Sequence, residues 1–310
     1  MTTLTGHLSL YATQSLKSID NWMNVVQGNV GGSLVTGFKE VEITYGGNIT
    51  HELRATTGIK NGVQIAEQSL TTANTRLNWK QGEVISSTQD THFAIQGDGF
   101  FLLAQPPGWN NPSLTNKTAA GTDLLLTRAG DFHWGVVPNV PGIPAGQNTS
   151  ANPILLNKDG LIVLAEIAGA PDGSDNYCTP VSYNDFYGAD KIRPSVHQPS
   201  YDTPSSNPAT TIVDYDELVY SRYGSTVLTA PTATSIKTIV NGSYGFLDSR
   251  GAGDVNGSET RLIEKALEAS NVKVERNITE LAVMGKVYNG FVQLIKVYNS
   301  NLDEVLGFIR

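Results

Sequence analysis

The stretch IQGDGFF (residues 95–101) sets Asp98 between Gly97 and Gly99 inside an otherwise apolar run. A Gly-x-Gly with a carboxylate could form a ligand loop, but the third glycine and the following helix of a dinucleotide site are missing. Asp98 therefore reads as a turn residue whose carboxylate bonds nearby backbone N–H groups. A second oxygen-rich stretch, DSRGAGDVNGSE, brings Asp254, Asn256, Ser258 and Glu259 close together, yet the order of an EF-hand loop is not met. It reads as a linker. The five histidines, His7, His51, His92, His133 and His197, form no short metal-ligand pair, and no Gly-x-Ser-x-Gly elbow is present. Cys178 is the single cysteine, which excludes an intrachain disulfide and a cysteine-based zinc site. The chain is thus expected to be no enzyme and to need no cofactor or metal.

Composition narrows the partners. Charged residues make up 16% of the 310 residues and the net charge is −8, so the broad basic field of a nucleic-acid binder is lacking. The longest apolar run, Leu161–Ile167, is too short to span a bilayer, so no direct membrane insertion is expected. The first twenty residues lack the charged start and continuous apolar core of a Sec-type signal.

The elements that must position these residues change character along the chain. Near the start, Ala12, Leu16, Ile19, Met23, Val26 and Val30 repeat at spacings of four and three. Near the end, Ile278, Leu281, Gly285, Tyr288, Val292, Ile295, Asn299, Leu302, Leu306 and Ile309 do the same, with Met284, Val287, Phe291, Leu294, Tyr298 and Val305 in a second stripe beside them. Such spacing predicts two long amphipathic helices with heptad seams. Two apolar faces on one helix call for more than one neighbour.

Between them, short apolar runs alternate with turn residues. HFAIQGDGFFLLAQ, LLLTRAGDFHWGVV and ILLNKDGLIVLAEIAG break at Gly-Asp-Gly, Ala-Gly-Asp and Lys-Asp-Gly, which predicts successive hairpins. The expected fold is α+β and discontinuous. Residues 1–35 and 260–310 form terminal helices paired as a coiled coil. Residues 36–259 form a mostly antiparallel β-domain between them, with surface loops at 104–122 and 138–153.

Four stretches in one order resemble the rod and hook subunits, the axial proteins of the bacterial flagellum. The first helix is followed by Thr36, Gly37, Phe38 and Lys39, similar to a Thr-Gly-Phe-Lys signature of that family. QGEVISSTQDTHFAIQGDGFF matches its Gln-Gly turn and Gly-Asp-Gly-Phe-Phe strand through Gly97, Asp98, Gly99, Phe100 and Phe101. LLLTRAGDF resembles its Thr-Arg-x-Gly-x-Phe segment through Thr127, Arg128, Gly130 and Phe132. ALEASNV, with Ser270, Asn271 and Val272, is similar to the segment that precedes its closing helix. The chain departs from the pattern at Gln27-Gly28-Asn29, at the Gly31–Val35 insertion, at His92 and at Gly285-Lys286.

The resemblance implies a subunit that leaves the cytoplasm through the flagellar type III export apparatus without a cleaved signal. It implies helical polymerisation with copies of itself and other axial proteins into a hollow basal-body rod or hook that transmits torque. Terminal helices would line the tube and the β-domain would face outward. Two other readings stand beside it: a β-rich extracellular adhesin or phage-tail-type binding protein, and a hydrolase with a β-domain. Neither predicts the ordered set of four stretches.

Overall fold

The computed structural model describes residues 6–47, 51–53, 63–65, 69–106, 118–119, 122–138, 146–168, 176–189, 191–201, 211–212, 215–229, 234–240 and 260–308. Ile309 and the linker stretch 248–258 lie outside the described residues. The chain is mixed helix and antiparallel sheet, and it divides into two compact units.

The first unit comprises residues 1–33, 40–78 and 272–310. Its helices are α1, Gly6–Gly32, and α3, Val274–Phe308, which contact each other; the short helix α2, Tyr183–Tyr187, belongs to the second unit. At 35 residues, α3 is on the order of 50 Å long. Ile19, Val26 and Met284 form the buried centre, and Trp22, Met23, Leu70, Leu281, Tyr288 and Phe291 pack around it. Leu70 begins the strand Leu70–Leu77, which pairs antiparallel with Val41–Gly47. Ser15 and Ser18 of α1 fasten that strand: Leu70 N–H donates to Ser15 Oγ at 3.0 Å, and Ser18 Oγ donates to the Leu70 carbonyl at 3.0 Å.

One end of the helix pair is polar. Asn29 faces Val41 as one strand residue faces another, donating from Nδ2 to the Val41 carbonyl and accepting its N–H, both at 2.9 Å. Asn277 donates to Glu40 Oε1 at 3.1 Å and is in turn reached by Asn29 Nδ2 at 3.4 Å. All three side chains are buried. Buried amides require partners, and here each fills the other's need.

The second unit comprises residues 34–39 and 79–271. Its main sheet has twelve strands among the described residues. The spatial order His133–Gly135, Ile154–Leu156, Ile162–Ala168, Phe100–Ala104, Thr122–Thr127, Gly224–Thr229, Val219–Ser221 forms the spine. Every described pairing is antiparallel. The strand Phe100–Ala104 is buried along its whole length, as befits a central strand covered on both faces. Phe101 joins a core with Phe93, Leu103, Phe132 and Val163, while Phe100 meets Trp79 and Tyr215 edge-on at 5.5 and 5.2 Å.

These boundaries differ from residues 36 and 259. Residues 40–78 fall with the helices because the strand led by Leu70 covers α1. Residues 261–271 fall with the sheets because Arg261–Glu264 pairs with Phe93–Gln96 and Ala266–Glu268 pairs with Val84–Ser86. Of the three expected hairpins, one forms: Ile154–Leu156 returns as Ile162–Ala168 through the Lys-Asp-Gly turn, with Gly160 at a φ of 77°. The other two are corners. Phe93–Gln96 pairs with Arg261–Glu264, whereas Phe100–Ala104 belongs to the main sheet. Gly97 and Gly99, at φ of 98° and 113°, carry the chain from one sheet to the other. Likewise Thr122–Thr127 and His133–Gly135 flank Ala-Gly-Asp without pairing, because each has a more distant partner.

Candidate functional site

Four of the segments singled out in the sequence meet inside the β-rich unit on one carboxylate, Glu268. Lys39 Nζ donates to its Oε1 at 2.6 Å, and Arg128 Nε donates to its Oε2 at 2.9 Å. The N–H of Gly82 completes the set on Oε1 at 3.0 Å. Glu268 is wholly inaccessible to solvent, and both cations are buried.

Turn chemistry brings these groups together. Gly37 adopts a φ of 69°, and a Cβ there would strike the backbone of Arg128 and Ala129; its N–H donates to the Glu268 carbonyl at 2.8 Å. This close passage directs Lys39 inward, where Nζ also bonds the Lys80 carbonyl at 3.0 Å. A side chain at Gly82 would strike the Ala269 carbonyl, and one at Gly130 the Phe93 carbonyl. Arg128 spreads its remaining donors over the corner, from Nη1 to the carbonyls of Gly97 at 2.8 Å and Gly99 at 2.7 Å. A planar guanidinium fork suits such simultaneous contacts, which a lysine could not make. Gln81 ties the same corner, donating to the Ile95 carbonyl at 2.9 Å and accepting the Gly97 N–H at 3.1 Å.

The remaining motif residues surround this centre. Thr127 Oγ1 donates to the Thr226 carbonyl at 2.6 Å and accepts the Ala129 N–H at 3.0 Å. Phe132 stacks edge-on against Phe101 at 5.1 Å. Asn271 N–H reaches the Phe38 carbonyl at 3.4 Å and its Nδ2 the Lys80 carbonyl at 2.8 Å. Thr36, Ser270 and Val272 are half-buried, and Asp98 lies exposed at the corner. Glu268 itself was missed as a site residue although it stands inside ALEASNV. Charge pattern alone could not have found it, because Lys39 and Arg128 have nearer acids, Glu40 and Asp131, in the sequence.

Burial by itself raises the Glu268 carboxyl, but Arg128 and Lys39 outweigh it and hold the group below its ordinary value. Burial lowers the Lys39 ammonium, and Arg128 adds to that effect against the pull of Glu268. With Oε1 and Oε2 engaged by three donors, the arrangement is suited to fastening five chain segments. It offers no exposed nucleophile.

The helix seams are distributed as follows. Ile19 and Val26 are buried, and Leu16, Met23 and Val30 are half-buried. On α3 the face with the least exposure runs Asn277, Leu281, Met284, Tyr288, Phe291, Ile295, Tyr298, drawing alternately on both apolar stripes. Val292 is half-buried, whereas Ile278, Leu302 and Leu306 are exposed, Ile278 at 56%. Val283, Val287, Leu294, Val297, Val305 and Phe308 are exposed as well.

Among the described residues, no group of three or more His, Cys, Asp or Glu is placed to hold a metal ion, and no helix is long and apolar enough to cross a membrane. Cys178 is buried in the β-rich unit. His197 is buried too, and desolvation pushes its imidazole down to about 3. No protein-family model and no curated protein sequence matches the chain.

Proposed function

We propose that this chain is a structural subunit of the flagellar basal-body rod or hook, polymerising helically into a hollow shaft that transmits motor torque. One observation carries the reading. Segments that lie between residues 37 and 271, and that resemble the axial family in the same order, converge on the Glu268 centre. An adhesin or phage-tail-type protein has no need of that ordered set.

In this reading α1 and α3 pair as a coiled coil lining the shaft, and the β-domain inserted between them forms the outer layer. The apolar side chains left exposed along α3 suit contacts with further subunits, because a stripe of this length is otherwise a liability in water. Head-to-tail contacts that do not close into a ring give an open helical filament. The partners are copies of the chain, other axial proteins and the type III export apparatus. The subunit is exported without a cleaved signal and works outside the cytoplasm, with neither catalysis nor cofactor.

Electron microscopy of cell envelopes from a deletion strain tests this. Absent or truncated flagella with lost motility are expected. Intact flagella with normal motility would overturn it.

A further inference from the structure

Away from Glu268, the β-rich unit carries a cleft of about 430 Å³ between residues 88–92 and the aromatic pair Trp134 and Tyr187. That volume lies in the range of roughly 300–1,000 Å³ typical of small-ligand sites. Thr91 and Phe132 are its buried members.

The aromatic wall is braced from behind. Trp134 meets Phe186 edge-on at 5.3 Å and Tyr183 at 5.4 Å, and the Arg193 guanidinium covers the Phe186 ring at 3.8 Å. Tyr187 nevertheless remains 49% exposed. Its hydroxyl donates to Asp90 Oδ2 at 3.3 Å, and Lys265 holds the other carboxylate oxygen at 2.8 Å. His92 is fixed through Nδ1 by Ser87 Oγ at 2.8 Å. Groups held in place before binding lose little freedom on binding.

The chemistry of the lining selects among ligands. Among the described residues no Lys or Arg lines the cleft, and the nearby Lys265 is engaged by Asp90, which disfavours phosphate, carboxylate and nucleic acid. Hydroxyl, amide, carboxylate and imidazole side chains line the cleft together with the aromatic pair, which makes it too polar for a lipid chain. A pyranose ring has the matching form, with a C–H face of partial positive charge that packs on the negative face of an aromatic ring. Its rim of hydroxyls needs paired donors and acceptors.

We propose that this cleft binds a neutral oligosaccharide, one sugar face lying on Tyr187 and Trp134 and its hydroxyls meeting Asp90, Gln89 and Thr88. This inference is independent of the shaft reading, since a sugar site is compatible with either a shaft subunit or an adhesin.

The full-length protein is titrated with cellotriose, maltotriose and chitotriose, followed by calorimetry and ligand-observed NMR. Saturable binding of at least one sugar is expected, weakened about three- to tenfold by Tyr187→Ala and less by Tyr187→Phe, which keeps the ring. Tyr187 also packs on Phe186 at 4.9 Å, so Gln89→Ala, a change at an exposed residue outside the aromatic brace, serves as a second variant and is also expected to weaken binding. No saturable response to any of the three at about 10 mM would overturn the proposal. So would an affinity unchanged in both Tyr187→Ala and Gln89→Ala, or binding of a Pro-x-x-Pro peptide where the sugars fail, which would make the cleft a polyproline groove.

Discussion

At Glu268, one buried anion faces two buried cations, and the balance is asymmetric. Glu268→Gln leaves Lys39 and Arg128 buried without a counter-charge, a loss expected to cost about 3–5 kcal/mol. Lys39→Met still leaves Arg128 on Glu268 and removes an ammonium that burial disfavours, so it is expected to cost less than half as much. Urea unfolding of the two variants checks the difference, and equal costs would refute the charge-balance account. The pH dependence follows from the same site. A carboxylate held below the ordinary glutamate value of 4.5 contributes its full stability above that value and loses it as pH falls through the depressed one. Lys39 acts in the opposite sense: its lowered value is a cost to folding that fades as pH rises toward 10.5. The urea midpoint of the β-rich unit is therefore expected to decline below pH 4.5, and a midpoint that held or rose there would contradict the ion pair.

Among the elements, the two helices separate residues that hold the monomer from residues that face outward. Ile19 is wholly buried, so Ile19→Ala is expected to destabilise the helical unit by about 2–5 kcal/mol. Ile278→Asp, at an exposed position, is expected to change monomer stability by no more than about 0.5 kcal/mol. Under the shaft reading it should abolish polymerisation, a contrast that thermal melts and sedimentation read directly. Both helices were legible in the sequence because a spacing of three and four is local information. The buried register was not, because polar residues occupy part of it. Ser15 and Ser18 bond the strand led by Leu70, and Asn29 and Asn277 bond Val41 and Glu40, so a search for apolar residues passes over all four. The β-region shows the same division. The breaks at Asp-Gly and Gly-Asp-Gly predict hairpins, but only the Lys-Asp-Gly break makes one, the others turning the chain toward another strand. Whether a change of direction makes a hairpin or a corner depends on partners such as Arg261–Glu264, more than 160 residues beyond Phe93–Gln96, which no local pattern encodes.

For the whole molecule, the shaft reading concerns helices that gain neighbours on assembly. Several apolar side chains of α3 are exposed in the single chain, and the last described residue, Phe308, is 89% exposed. Helices with an unfilled face fray from such ends, since most helical stability comes from tertiary packing. Circular dichroism is accordingly expected to show helical content rising as dilute monomer polymerises, and a monomer already at its full helical signal would count against the reading. Turns ordinarily open first in a folded chain and exchange their amide hydrogens fastest. In the β-rich unit that order should be inverted around Glu268, because the N–H groups of Gly37 and Gly82 are bonded to Glu268 and that of Gly97 to Gln81. Deuterium would then enter Val219–Ser221, at the end of the main sheet, before it enters these three glycines, so the most persistent amides of the unit would include ones outside any strand.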